Sequence, residues 1–172
     1  ELMQNVIKHV ESMKVPLIYE HVIGIEKNKK SFLIKTDGKK EFNADAIIFA
    51  TGREKRKLGV KGEKELFGRG VSYCATCDAP LYREKNVCVI GGSNSALGAA
   101  LLAAEYSKKV YLIYRSDELK AQPMSIKQIK ENKKIEILLN DEVTEIVGKD
   151  FVSAVELKSK KKIVVQGVFI EI

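Results

Sequence analysis

The sequence predicts an α/β fold of two related units, the first incomplete, with an antiparallel β-meander. Three observations predict it. Val87-Cys88-Val89-Ile90 runs as an unbroken apolar strand into Gly91-Gly92, an alanine-rich helical stretch follows, and residues 110–114 read as a second strand. Together these make a βαβ half of a doubly wound sheet. Residues 1–57 offer strand and turn elements of the same kind, and from Ile135 onward short strands recur as a meander would place them.

Leu2, Met3, Val6, Ile7, Val10 and Met13 recur at helical spacing, which predicts an amphipathic helix over residues 1–13. Strands are expected at 17–19, 22–26, 32–36 and 46–49, with Asp37-Gly38 as a hairpin turn after the third. Ala46-Ile47-Ile48-Phe49 is continuously apolar, as a strand buried on both faces would be. Residues 53–70 are charged and punctuated by glycine, which marks a boundary between units. In the second unit, 86–90 and 110–114 are strands flanking a helix that Asn94 or Ser95 caps and that runs to Tyr106. A short helix over 124–133 leads to strands at 135–139, 142–147, 151–158 and 163–166. The chain opens at Glu1 without methionine and runs out in strand-like Val168-Phe169-Ile170, which predicts a segment of a longer protein.

Composition narrows the function. A chain of 172 residues with 45% apolar content has ample material for a core. No apolar run approaches the ~20 residues of a membrane span and no signal-peptide pattern opens the chain, so the expectation is a cytoplasmic protein with no membrane partner. The net charge of +7 is spread over several lysine-rich stretches without interleaved aromatics. That reads as a solvated surface, not a nucleic-acid interface.

The chemistry concentrates in Cys74-Ala75-Thr76-Cys77-Asp78, about a dozen residues before the glycine turn. Two thiols separated by two residues close a small disulfide and so carry an electron pair, and a helix start nearby lowers a thiol pKa. Asp78 follows directly, placed to move the proton that leaves or joins a sulfur. The rival reading is half a zinc site. Zinc needs four ligands, and the remaining ones on offer are Cys88 inside a strand and His9 and His21 far upstream, so no metal is expected. Incidental thiols are the third reading. Cys88 itself reads as a small apolar core residue, and both histidines as structural.

Gly91-Gly92-Ser93-Asn94-Ser95-Ala96 is a nucleotide turn in the G-x-G-x-x-G/A style. Gly91 allows the tight turn, Ala96 allows close helix packing, and Ser93 stands where a second glycine usually lets the backbone approach a pyrophosphate. An ordinary strand-to-helix turn without ligand is the alternative. At the end of the second strand, Arg115 and Lys120 favour a 2′-phosphate, while Asp117 and Glu118 complicate the field.

With Ala50-Thr51-Gly52, Cys-Ala-Thr-Cys-Asp and Gly-Gly-Ser-Asn-Ser-Ala in this order, the chain resembles the low-molecular-weight thioredoxin reductases along essentially its whole length. The resemblance implies two FAD/NAD(P)-binding Rossmann-like units: residues 1–57 as part of an FAD domain and 58–172 as a NAD(P) domain carrying the cysteines. It places Ala50, Thr51 and Gly52 beside the flavin. It implies that hydride passes from NADPH to FAD, that electrons reach the Cys74–Cys77 disulfide, and that the dithiol reduces thioredoxin or a thioredoxin-like protein. Cys77 would face the flavin and Asp78 would be the acid. The family is usually a homodimer. Where the family carries His-Arg-Arg and a further arginine, this chain has Tyr114, Arg115, Ser116 and Lys120, so NADH joins NADPH as a coenzyme to test. The family's first glycine fingerprint and its later Gly-Asp motif are not in this sequence, so the 172 residues alone are expected to be inactive. The competing functions are a flavoprotein reductase of a peroxiredoxin system and a non-catalytic nucleotide-binding redox sensor.

Overall fold

A computed structural model of the chain describes residues 2–52 and 54–172. They fall into two compact units, Glu1–Gly52 and Arg53–Ile172.

The first unit holds helix α1 (Leu2–Ser12) and an antiparallel sheet of β1 (Val22–Lys27), β2 (Phe32–Thr36) and β3 (Glu41–Ala44) in that order. Asp37-Gly38 does turn the β2–β3 hairpin: Lys39 N–H donates to the Thr36 carbonyl at 3.0 Å, and Lys39 takes the left-handed conformation at φ 60°. β3 has little strand propensity of its own, so this turn and its ladder to β2 create it.

Two expected strands do not form. Residues 17–19 and 46–49 lie outside the sheet, and Ile48 and Phe49 are 92% and 71% exposed. A doubly buried strand needs paired edges and a layer on each face. The described residues of this unit offer only the hairpin sheet and one helix that buries no residue.

The second unit is a three-layer sandwich. Its centre is a five-stranded parallel sheet in the order β4 (Val71–Ser72), β11 (Gly167–Ile170), β5 (Asn86–Ile90), β6 (Lys109–Tyr114), β7 (Ile135–Leu139). One face carries α2 (Ala75–Asp78), α3 (Asn94–Tyr106) and α4 (Pro123–Glu131). The other carries the antiparallel meander β8 (Val143–Gly148), β9 (Val152–Leu157) and β10 (Lys162–Val164).

The period-2 alternation of β5 explains its unbroken apolar run. Val87 and Val89 pack on the helices, among Ala96, Ala100, Ala103 and Phe169, while Cys88 and Ile90 pack on the meander with Ile146, Val155 and Val168. Cys88 is therefore core, with its thiol pushed up by burial. The expected cap of α3 shifts by one residue. Ser93 holds the extended N-cap position without a side-chain cap bond, and the Asn94 side chain accepts from the Gln122 amide at 2.8 Å. No helix among the described residues is long and apolar enough to cross a membrane.

Candidate active site

Cys74 and Cys77 form a disulfide with their Cα atoms 5.3 Å apart. Cys74 is the N-cap of α2, and its sulfur accepts from the Cys77 amide at 3.2 Å. Ser72 at the end of β4 fixes the approach: its hydroxyl accepts from the Cys74 amide at 3.0 Å. Cys77 is exposed and Cys74 half-buried, so the sulfur pair opens outward on the Cys77 side. Asp78 closes α2 and leads into a 3-10 turn (Ala79–Tyr82) whose Leu81 is 69% exposed. Burial first, and then the Asp78 charge, hold the Tyr82 phenol above its ordinary value.

The glycine turn lies at the same edge of the sheet. β4 and β5 both flank β11 and all three run parallel. The carboxyl ends of β4 and β5, where the cysteines and Gly91 begin, are thus two strand spacings apart, about 10 Å. Ligands of open α/β sheets bind outside these carboxyl ends.

A cleft of about 760 Å³ opens there, lined by residues 56–61, 90–93, 113–115 and 141–144 with Glu171 and Ile172. Its floor requires glycine. Gly91 sits at φ 142°, and a Cβ on it would be driven into the Glu171 carbonyl and the Ala96 side chain; a Cβ on Gly92 would be driven into the Tyr114 ring. Ser93 leaves the start of α3 uncapped by its own side chain, and its exposed hydroxyl is not consumed by the helix. A backbone cradle too tight for side chains, opening onto a helix N-terminus, fits a nucleotide pyrophosphate.

The structure gathers part of the expected set. Gly91, Gly92, Ser93 and Arg115 line the cleft. Asn94, Ser95 and Ala96 form the first turn of α3, with Ala96 buried behind Gly91. Lys120 reaches the turn through its backbone, its amide donating to the Gly92 carbonyl at 2.8 Å, and is not part of the cleft wall. Ala50, Thr51 and Gly52 are exposed and end the first unit, with open space around Gly52. They show no cradle of their own.

Sequence reasoning missed the cleft wall at 56–61 and 141–144, together with Glu63. Glu63 is buried, at 4% exposure, and accepts from the amides of Leu58 at 2.7 Å and Gly59 at 2.6 Å and from the Tyr73 hydroxyl at 2.7 Å. Burial opposes its ionisation, but the Tyr73 hydroxyl and the amides of residues 58–60 outweigh this and hold its carboxyl below the usual range. Burial and the Glu63 bond push Tyr73 up to about 12. The available signal was the glycine pair Gly59 and Gly62, both in the left-handed region and bracketing a turn just before Glu63.

A disulfide beside a glycine turn that fits a pyrophosphate, at one edge of one parallel sheet, is the arrangement of a nucleotide-linked disulfide oxidoreductase fold. The family model of pyridine nucleotide-disulphide oxidoreductases matches residues 2–172, and the chain belongs to that family. It is 37% identical over 182 residues to a curated thioredoxin reductase of Coxiella burnetii, covering 100% of this chain and 56% of that one. Among solved structures it is similar to the thioredoxin reductase of Lactococcus lactis in the FR conformation (TM-score 0.73, 32% identity, 99% of this chain and 58% of that one). The thioredoxin reductase of Giardia duodenalis gives a TM-score of 0.76 at 31% identity, covering 99% and 58%. The chain thus spans little more than half the length of the relatives it matches.

Proposed function

We propose that the full-length protein is an FAD-dependent thioredoxin-disulfide reductase, with residues 58–172 as its NAD(P) domain and 1–57 as part of its FAD domain. The observation that carries this reading is the Cys74–Cys77 disulfide capping α2 beside the glycine cradle. The curated relatives are thioredoxin reductases, which favours it over a peroxiredoxin-linked flavoprotein or a non-catalytic sensor.

When bound, the nicotinamide coenzyme and the flavin supply the two electrons that open the disulfide. The chain's own residues do the rest. With two protons the sulfurs become a dithiol. One thiolate attacks a sulfur of the partner's disulfide, giving a mixed disulfide and releasing the partner's other sulfur as thiolate. The second cysteine then attacks the mixed disulfide, restoring Cys74–Cys77 and releasing the remaining partner thiolate. Cys77 is assigned to the flavin side and Cys74 to the partner, with Asp78 moving protons at sulfur. Thioredoxin or a thioredoxin-like protein is the disulfide partner. Ala50, Thr51 and Gly52 approach the flavin, and residues 91–96 hold the pyrophosphate. Arg115 serves the 2′-phosphate of NADPH, with Lys120 nearby. The assembly is a homodimer in the cytoplasm.

The test is anaerobic titration of the full-length protein with NADPH and then NADH, following flavin absorbance. Bleaching by either, reversed by oxidised thioredoxin, is the expected outcome. Cys74→Ser and Cys77→Ser should each abolish thioredoxin reduction while flavin bleaching persists. Full disulfide reduction by either variant would sink the dithiol relay, and a flavin that neither coenzyme bleaches would sink the nicotinamide assignment.

A further inference from the structure

Among the described residues Glu63 is the buried one that carries a formal charge. A carboxylate taken out of water is costly unless every lone pair it turns inward finds a donor. Glu63 is satisfied by neutral donors alone, and they come from two separate segments. Leu58 and Gly59, whose amides it accepts, line the nucleotide cleft. Tyr73, whose hydroxyl it accepts, immediately precedes Cys74 and packs its ring against Phe67, centroids 5.5 Å apart.

The loop bearing Glu63 is itself fixed. A Cβ on Gly62 would be driven into the Ile146 carbonyl, and the Ile146 amide donates to the Lys61 carbonyl at 2.9 Å. The carboxylate therefore stands on a firm base against β8 and reaches in two directions, one toward the cleft and one toward the disulfide.

We propose that Glu63 is a positioning residue that holds the cleft wall at Leu58–Gly59 and the approach to the redox disulfide at Tyr73–Cys74 in a single geometry. The proposal rests on the reading of the cleft as a nucleotide site and of the cysteines as redox-active. Its hydrogen-bond count excludes a neutral substitute. Glutamine has one oxygen and an N–H₂ group, so it would point a donor at a donor and leave at least one of the three partners unsatisfied. Tyr73, pushed up to about 12, stays a donor throughout the working range of pH.

The test uses the full-length protein and two readouts that need no turnover. One is the affinity for ADP, by calorimetry. The other is the equilibrium between Cys74–Cys77 disulfide and dithiol in dithiothreitol redox buffers, by thiol alkylation and mass spectrometry. Glu63→Gln should weaken ADP binding about tenfold and displace the disulfide equilibrium at least about threefold. Tyr73→Phe should displace the disulfide equilibrium to a similar extent and leave ADP affinity within about twofold. Glu63→Asp should recover part of both. A folded Glu63→Gln protein with both readouts unchanged overturns the proposal. If Glu63→Gln does not fold, Tyr73→Phe decides, and an unmoved disulfide equilibrium overturns it. Wild-type protein that bound no ADP would sink the nucleotide reading by itself, while the disulfide arm would still decide whether Glu63 positions Cys74.

Discussion

Glu171 shares the cleft wall with two further acidic residues, Asp141 and Glu142, and with the basic Arg56, Lys57, Lys61 and Arg115. It follows β11, lines the cleft, and lies where a Cβ on Gly91 would strike its carbonyl. Burial raises its carboxyl above the usual value, with the Lys55 charge and the Ala75 amide opposing. A raised carboxyl favours the folded state fully below the unfolded carboxyl value, and that advantage is lost as pH rises from there through the raised folded value. In the same window a negative charge appears in the cleft proposed to hold the nucleotide, so binding of an anionic nucleotide there should weaken. Glu171→Gln removes this charge. Its ADP affinity should match wild type at pH below the raised carboxyl value and exceed it severalfold above that value. Comparing the two proteins at each pH cancels the titration of ADP itself. Parallel curves would mean that the carboxyl does not face the ligand. None of this was legible in Glu-Ile at the end of the sequence, because the closeness of Glu171 to Gly91 comes from β11 pairing beside β5, far away in the chain.

At the level of elements, the meander is tied to the cleft through Asp141. This residue lies between β7 and β8, and its carboxylate accepts from the Glu142 amide at 2.9 Å, the Ser159 amide at 3.2 Å and the Ser159 hydroxyl at 2.6 Å. The β9–β10 turn is thereby pinned to the cleft wall. Burial opposes ionisation of Asp141, but the Ser159 hydroxyl and the surrounding amides outweigh it and lower its carboxyl. The stabilisation is present above the unfolded aspartate value and is lost as pH falls through the lowered folded one. Asp141→Ala should cost roughly 1 kcal/mol at neutral pH by urea denaturation. The gap to wild type should close as pH falls through the lowered folded value. A gap independent of pH would assign the loss to packing. Elements with strong local signals were read correctly: the apolar runs of β5 and β6 and the capped, alanine-rich α3 lie within a residue of where the sequence puts them. β4 and β3 were missed because each is made by its partner, β11 in one case and the β2 hairpin in the other. The run at 46–49 was misread because apolar content specifies burial only when other elements are there to provide it.

For the whole molecule the two units differ in kind. Arg53–Ile172 buries apolar side chains on both faces of its parallel sheet, with Phe169, Leu97, Leu112 and Ile113 almost wholly enclosed. Glu1–Gly52 has Thr36 as its buried residue among those described, and Leu2, Met3, Val6 and Met13 of the α1 region face outward. A unit of that size without a core has too little apolar burial to offset the entropy of ordering its chain. Residues 53–172 expressed alone should therefore unfold in one sharp urea transition, with a slope of roughly 1–2 kcal/mol/M, and should still close the Cys74–Cys77 disulfide. Residues 1–52 alone should show no cooperative transition. A broad melt for 53–172 would mean that its sheet does not fold as an independent unit. A sharp melt for 1–52 would mean that the α1 apolar stripe and the 46–49 run find each other once freed, and that the hairpin sheet is only part of that unit's fold.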